Sequence, residues 1–224
     1  MNSTSQRTIV AGLLVGTLIA GVAGIAAGAC GARTDGSTAP GAALAELQAF
    51  APLLEASQNS NYTAEYATAE GLAVTVVQAP PRRAYRSTAG AYVLAPEAAY
   101  LCKVNACERA PGADAMPLSH ATAVASTLEG GFVVPDYALT LVGRAAALPG
   151  AKAARGERLI GGTRTNCVTV AVDSTPWTLC ASAAGVLAYF SGTGGARLEL
   201  RTYSPTVAPD AFDLPAGATV VDAA

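Results

Sequence analysis

The segment CVTVAVDSTPWTLC, residues 167–180, constrains the fold more than any other part of the sequence. Its side chains alternate between apolar and polar, which is typical of strands with one buried face. A tight turn centred on Asp173-Ser174 places Cys167 directly opposite Cys180 and gathers the apolar residues on one face. A shift by one residue would break both the apolar face and the pairing of the thiols. The segment therefore predicts a disulfide-closed β-hairpin, although Pro176 favours an edge position or a wider turn.

The rest of the chain predicts more short strands and a few helices. Leucines and Phe50 at helical spacing predict a helix from Ala42 to about Ser57. A second helix is predicted at 118–128, and a third begins at Pro135-Asp136, with Tyr137, Leu141, Ala145 and Leu148 on one face. Period-two patterns separated by turn residues predict an antiparallel meander and a later group of strands. These strands are 62–66, 72–76, 83–87, 91–94, 99–103, 157–160, 166–172, 175–181, 186–191 and 197–203.

The N-terminus predicts export from the cytoplasm. Arg7 precedes an uncharged run, Ile9–Ala29, that ends at Cys30. The run is long enough for an uncleaved transmembrane helix, whereas the small residues before Cys30 resemble a lipobox, in which the cysteine is lipidated. Release as a free secreted protein is a third possibility. We predict a leader or anchor at 1–30, a flexible tether at 31–41 and one domain at 42–224, held at the outer face of the cell membrane.

The five cysteines favour lipidation of Cys30. Cys102 lies close to Cys107 in sequence, and Cys167 lies close to Cys180, so Cys30 is the odd residue in an exported chain. The alternative is a zinc site formed by the four domain cysteines. Their spacings do not match zinc ribbons, and the predicted compartment is oxidising. We therefore predict two disulfides, Cys102–Cys107 and Cys167–Cys180, and no metal.

No residue cluster predicts catalysis or a cofactor. His120 is the single histidine, without a recognisable partner acid or nucleophile. The glycine pairs lack the context of a phosphate-binding loop. A net charge of −2 does not predict a partner nucleic acid. Arg82, Arg83 and Arg86 form a small basic cluster that either contacts anionic lipid head groups or lies on a solvated hairpin.

The order of elements resembles a family of envelope lipoproteins. The sequences that carry the resemblance are the V-x-V-V-Q-x-P-P run at Val74–Pro81, Y-x-C at Tyr100–Cys102, the strands Val186–Phe190 and Leu198–Tyr203, and Phe212–Ala218. Together with the leader and tether, they resemble the LolA/LolB-like and LppX/LprG-like lipoproteins, especially actinobacterial members. The resemblance implies an α+β fold in which a strongly curved antiparallel sheet, a half-barrel, wraps around a few helices. It also implies an apolar cavity that holds a lipid or acylated ligand.

Two functions are consistent with these observations. We predict an extracytoplasmic lipoprotein that binds or carries a lipid and is not an enzyme. The alternative is a non-catalytic structural or interaction module of the cell surface with a solid core. An apolar cavity of several hundred Å³ between sheet and helices would favour lipid binding.

Overall fold

A computed structural model describes residues 42–223, other than 115, 116, 118–120, 123, 126, 127, 129–131, 173, 174, 193 and 194. The predicted leader, the tether, Cys30 and His120 lie outside these residues. None of the helices among the described residues has the length and apolar character needed to cross a membrane.

The described chain consists mainly of strands. Two helices have defined bounds, α1 (Ala42–Gln58) and α2 (Asp136–Ala147), and the described positions between 121 and 128 are also helical. The strands are β1 (Tyr62–Thr68), β2 (Ala73–Ala79), β3 (Arg82–Arg86), β4 (Ala91–Leu94), β5 (Ala98–Lys103), β6 (Ala106–Pro111), β7 (Lys152–Ile160), β8 (Thr163–Val172), β9 (Thr175–Ser182), β10 (Leu187–Ser191), β11 (Arg197–Ser204) and β12 (Thr219–Asp222). The sequence patterns predicted all of these strands except β6 and β12.

All twelve strands form one sheet, in the order β12-β6-β5-β4-β3-β2-β1-β11-β10-β9-β8-β7. Two antiparallel meanders, β1–β6 and β7–β11, lie side by side and are joined where β1 pairs with β11. Strands β6 and β7 therefore lie at or next to opposite edges of the sheet. The chain between them has to cross from one edge to the other, and this segment contains α2.

The predicted hairpin register at 167–180 is confirmed. Cys167 pairs with Cys180, and on the opposite face Val168 pairs with Leu179. Pro176 belongs to β9, which has neighbours on both sides. Strand β10 pairs with β9 only from Thr178 onward, so Pro176 lies beyond the end of β10 and its missing N–H breaks no ladder.

The predicted fold class, an α+β half-barrel of antiparallel strands wrapped around helices, is wrong. The sheet is mixed, because β12 pairs with β6 in the parallel direction. Its strand order ends at β12 and β7, so the sheet of the described residues is not closed into a barrel. The fold is dominated by this sheet, with few helices. The antiparallel half-barrel was inferred from the family resemblance alone. The sequence after Tyr203 showed no pattern that predicts β12, the strand that makes the sheet mixed.

The helices cover one face of the sheet. In α1, Leu47, Phe50 and Leu54 are buried at helical spacing. They join the main core with inward residues of both meanders, such as Tyr66 and Leu198. The C-terminal half of α1 also lies close to the turn between β9 and β10. A Cβ atom on Gly185 there would lie 1.9 Å from the carbonyl oxygen of Leu53, so this approach requires glycine.

A second, smaller core lies on the other face of the sheet. Residues 205–218, which we call the C-terminal strap, connect β11 to β12. Val77, Ala84 and Val93 are buried under the strap, against Phe212 and Leu214 among others. Because the strap carries the chain from the middle of the sheet to its far edge, β12 arrives parallel to β6.

Candidate functional site

A cavity of about 560 Å³ lies between the helical segments and the second meander. One wall comes from α2 and the chain before it, and the other comes from β9, β10 and the chain leading into β11. The lining residues are almost all apolar: Ala121, Thr122, Ala125, Phe132, Val133, Val134, Tyr137, Leu141, Trp177, Phe190, Gly192 and Ala196. None of these described lining residues carries a charge.

The position of α2 explains how this space arises. Ala138, Val142 and Ala145 form its buried face and contact the core, whereas Tyr137 and Leu141 are half-buried and line the cavity. The buried face is built largely from alanine, so it brings α2 close to neighbouring elements without filling the adjacent space. The sequence pattern placed Leu148 on the inward face as well, but Leu148 follows the end of α2 and is exposed.

The cavity has a buried floor and an open rim. Ala121, Phe132, Val134 and Phe190 are all less than 10% exposed, whereas Thr122 is exposed and Trp177 is half-buried. An apolar ligand in the cavity would thus contact buried side chains at one end and solvent at the other. Among the described lining residues, the polar side-chain groups are a threonine hydroxyl, a tyrosine hydroxyl and an indole N–H.

A buried polar cluster lies beside the cavity and fixes α2 to the sheet. Arg83 of β3 forms an ion pair with Asp136 in the first turn of α2, with 3.2 Å between Nε and Oδ1. The Tyr85 hydroxyl donates a hydrogen bond to the second carboxylate oxygen of Asp136. The Tyr85 ring in turn packs edge-on against Phe132, a cavity-lining residue, at 6.1 Å between ring centroids. The cluster therefore supports the wall of the cavity.

Gln78 extends this cluster to α1. Its side-chain oxygen accepts a hydrogen bond from Arg83 Nε at 3.1 Å. Its amide nitrogen donates to the carbonyl oxygens of Ser57 and Ser60, at and just after the end of α1. The buried Nη1 of Arg83 has no hydrogen-bond acceptor among the described residues. The ends of both helices are thus held by one chain of polar side chains on β2 and β3.

Burial dominates the electrostatics of the tyrosines on this face of the sheet. It raises the pKa of the Tyr85 hydroxyl well above its ordinary value, and the nearby charge of Asp136 raises it further. Burial is also the main cause of the raised pKa values of Tyr62, Tyr66 and Tyr92. All four hydroxyls therefore stay protonated above the pH at which an exposed tyrosine ionises. This allows Tyr66 to donate a hydrogen bond to the Leu187 carbonyl oxygen at 2.8 Å.

The three predicted basic residues do not act as one surface cluster. Arg83 is buried in the polar cluster. Arg82 lies over the ring of Phe212, with 4.4 Å from its guanidinium carbon to the ring centroid. Arg86 donates hydrogen bonds to the carbonyl oxygens of Ala211 and Asp213 in the strap. Arg83 therefore does not share a surface with Arg82 and Arg86, whose side chains contact the strap.

The four domain cysteines form the two predicted disulfides, Cys102–Cys107 and Cys167–Cys180. Each joins directly facing residues of neighbouring strands. The sulfurs are used in these bonds, so the zinc alternative is not supported. Two buried disulfides indicate an extracellular or periplasmic protein.

A second groove, of about 910 Å³, lies between α1 and strands β7 and β8. Its lining is mixed, with Phe50 and Leu53 on one side and Arg155, Glu157 and Arg158 on the other. Arg155 pairs with Glu46 of α1 across this region, and Arg158 lies over the Tyr189 ring. Its charged lining makes it less suited to an apolar ligand than the first cavity.

The described residues contain no group of three or more His, Cys, Asp or Glu side chains that could hold a metal ion. The apolar period of α2 pointed to Tyr137 and Leu141, which line the cavity, but sequence patterns did not reveal the other lining residues or the polar support. A single signal pointed to Asp136, an acid in the first turn of a predicted helix, and it indicates only a helix start. The partner residues Tyr85 and Gln78 looked like ordinary strand positions.

Comparison with known proteins adds information on the fold. No family model matches the sequence, and no curated protein matches it significantly. An uncharacterized conserved protein from Thermus thermophilus has a similar structure, with a TM-score of 0.50 and 11% sequence identity, over 80% of this chain and 99% of that chain. PNGF-II, in two space groups, gives TM-scores of 0.39 and 0.38 at 9% identity. These matches cover 73% of this chain but only 32% and 31% of PNGF-II.

Proposed function

We propose that this protein is an extracytoplasmic binding protein that holds a lipid or acylated ligand in the 560 Å³ cavity. The observation that carries the proposal is an uncharged, almost wholly apolar lining around a space of the size that buries small-molecule ligands. The proposal agrees with the resemblance to LolA-like and LppX-like lipoproteins, although the fold comparisons give no link to them. The protein acts by binding, without a chemical step.

The alternative, a surface module with a solid core, is less consistent with this packing. An apolar space of this size with a buried floor and an open rim is typical of a ligand-binding groove. A space lined by Phe132, Leu141 and Phe190 leaves apolar surface without partner atoms, which a bound apolar ligand would supply.

We further propose that Cys30 carries the membrane anchor as an acylated, N-terminal cysteine. The support is its position after the apolar run and the use of the other four cysteines in disulfides. Intact-mass analysis of protein extracted from membranes is expected to show cleavage before Cys30 and added acyl mass. An unmodified full-length chain would instead favour an uncleaved transmembrane helix.

Native mass spectrometry tests the ligand proposal directly. Protein purified in a mild detergent and then exchanged into volatile buffer is expected to carry a co-purified lipid. The variant Leu141→Trp fills part of the cavity from α2 and is expected to lose this lipid while keeping its melting temperature within a few degrees. Thr140→Trp, at the exposed neighbouring position, is the matched control and is expected to retain the lipid.

The two functions predict opposite results for this pair of variants. In a solid core, the added ring of Leu141→Trp overpacks the interior and destabilises the fold by about 1–3 kcal/mol. A marked fall in melting temperature for Leu141→Trp, together with a parent protein that neither carries nor takes up lipid, would refute the ligand proposal.

A further inference from the structure

The volume of the cavity sets how much of a ligand it can bury. A chain carbon takes roughly the space of a water molecule in the liquid, about 30 Å³, so 560 Å³ holds roughly 19 of them. This is one long acyl chain. Two chains of similar length would need about twice the space.

The lining determines which part of an amphiphile is recognised. The buried floor of Phe132, Val134 and Phe190 offers only apolar contacts. No described lining residue can form an ion pair with a head group. The buried cation Arg83 is bound to Asp136 and Gln78 and does not line the cavity. Among the described residues, a charged head group therefore finds no ion-pair partner in the cavity, which favours a position in water at the rim.

We infer that the cavity selects single-chain amphiphiles by the length of the chain and not by the head group. This inference rests on the proposed function and specifies its ligand class. Affinity rises with each methylene that enters the cavity, by about fourfold. The gain ends when the chain fills the available space, at roughly 16–19 carbons.

The single tryptophan of the chain supplies a built-in probe. Trp177 lines the cavity, so its emission reports the arrival of a ligand without a label. A brominated fatty acid quenches this emission by contact, and unlabelled ligands are then measured by competition. The competitors are saturated fatty acids of 8 to 22 carbons below their micelle concentrations, the alcohol and the lysophosphatidylcholine of 16 carbons, and a two-chain phosphatidylcholine of the same chain length.

The inference predicts a steep rise in affinity with chain length followed by a plateau. The three 16-carbon single-chain ligands are expected to agree within about threefold, and the two-chain lipid to bind no more tightly than they do. Ala196→Phe adds a ring to the lining and should move the plateau to chains shorter by about three carbons, because a phenyl ring displaces roughly three water volumes. Thr140→Phe, on the exposed face of α2, should leave the plateau unchanged.

The possible failures can be distinguished. If no acyl compound competes for the quenching of Trp177, the proposed function itself fails. If acyl compounds bind but affinity depends on the head group by tenfold or more, or the two-chain lipid binds more tightly, lipid binding stands and the single-chain inference is overturned. If Ala196→Phe leaves the plateau at the same chain length, the inference that this cavity selects ligands by chain length is overturned.

Discussion

At the scale of single residues, the most consequential feature is a buried charge with a single charged partner. Arg83 is buried and its partner Asp136 is half-buried, whereas the exposed pair Arg109–Asp222 is formed at the sheet edge. Loss of one partner costs far more in a buried ion pair than in an exposed one, because only the buried charge is cut off from water.

We expect Asp136→Ala to destabilise the protein by about 3–5 kcal/mol, since it leaves Arg83 charged and unpaired in the core. Asp222→Ala is the matched control, and its cost should stay below about 1 kcal/mol. The double variant Arg83→Met/Asp136→Leu should recover much of the loss. Urea unfolding followed by circular dichroism measures all three, and equal costs for the two single variants would contradict the buried pair.

The buried tyrosines predict loss of stability at alkaline pH. Burial raises the pKa of the Tyr62, Tyr66, Tyr85 and Tyr92 hydroxyls in the folded protein. Below about pH 10, folded and unfolded forms both hold these protons. Above it the unfolded chain loses them first, so the free energy of unfolding falls by up to about 1.4 kcal/mol per pH unit per tyrosine.

Urea unfolding at pH 8 to 11.5 tests this dependence. The parent protein should lose stability steeply above pH 10. Tyr66→Phe should be less stable at pH 8, because the Leu187 carbonyl oxygen loses its buried donor, yet show a shallower fall above pH 10. The same slope in both proteins would contradict the raised pKa of Tyr66.

At the scale of elements, the two disulfides close hairpins of different lengths. Cys102–Cys107 joins residues separated by 5 positions, and Cys167–Cys180 joins residues separated by 13. Removal of either bond gives the unfolded chain more conformational freedom. Because both bonds are buried, it also disturbs the packing of the sheet. The longer loop loses more entropy when it is closed.

Replacing both cysteines by alanine is therefore expected to cost about 3 kcal/mol for Cys167–Cys180 and about 2 kcal/mol for Cys102–Cys107. Thermal unfolding of the two double variants, with the reduced parent protein for comparison, gives the order. A larger loss for the Cys102–Cys107 variant would show that packing against the strap, through Leu214 and Ala218, outweighs loop entropy.

Local patterns predicted elements well where one face is buried. Alternation and facing cysteines were sufficient for the register of β8 and β9. Strand β12 was missed because its four residues are all exposed, so no apolar period marks them. Strand β6 was missed for a similar reason, since Cys107 is its single fully buried residue. An apolar cavity was expected from the family resemblance, but most of its lining could not be predicted, because the lining depends on how α2 is rotated and not on the apolar period alone.

At the scale of the whole molecule, the strap determines whether the sheet has one covered face or two. It packs over Val77, Ala84 and Val93, and it is held by Arg82 on Phe212 and by Arg86 on two carbonyl oxygens. These two arginines explain why a basic cluster occurs on this hairpin. A sequence pattern shows the charges but not the strap they hold, because strap and strands are far apart in sequence.

Removal of residues 205–224 is expected to expose this apolar face and cause aggregation, because large exposed apolar patches promote association. Removal of 219–224 alone takes away β12 but keeps the strap, and this shorter truncation should remain monomeric. Size-exclusion chromatography and binding of an apolar dye compare the two. A monomeric, dye-free product of the longer truncation would show that the strap does not protect the sheet.

The pairing of β1 with β11 has a consequence for how the protein is made. Glu65 and Thr202, which hydrogen-bond across this pair, are 137 residues apart in the chain. During translocation with the N-terminus leading, β1 reaches the far side of the membrane long before its partner has been synthesised or threaded through. Until then, β1 is an unpaired edge strand of the first meander, and an unpaired edge strand can pair with other chains. Neither disulfide changes this order of events, since each closes only a local hairpin.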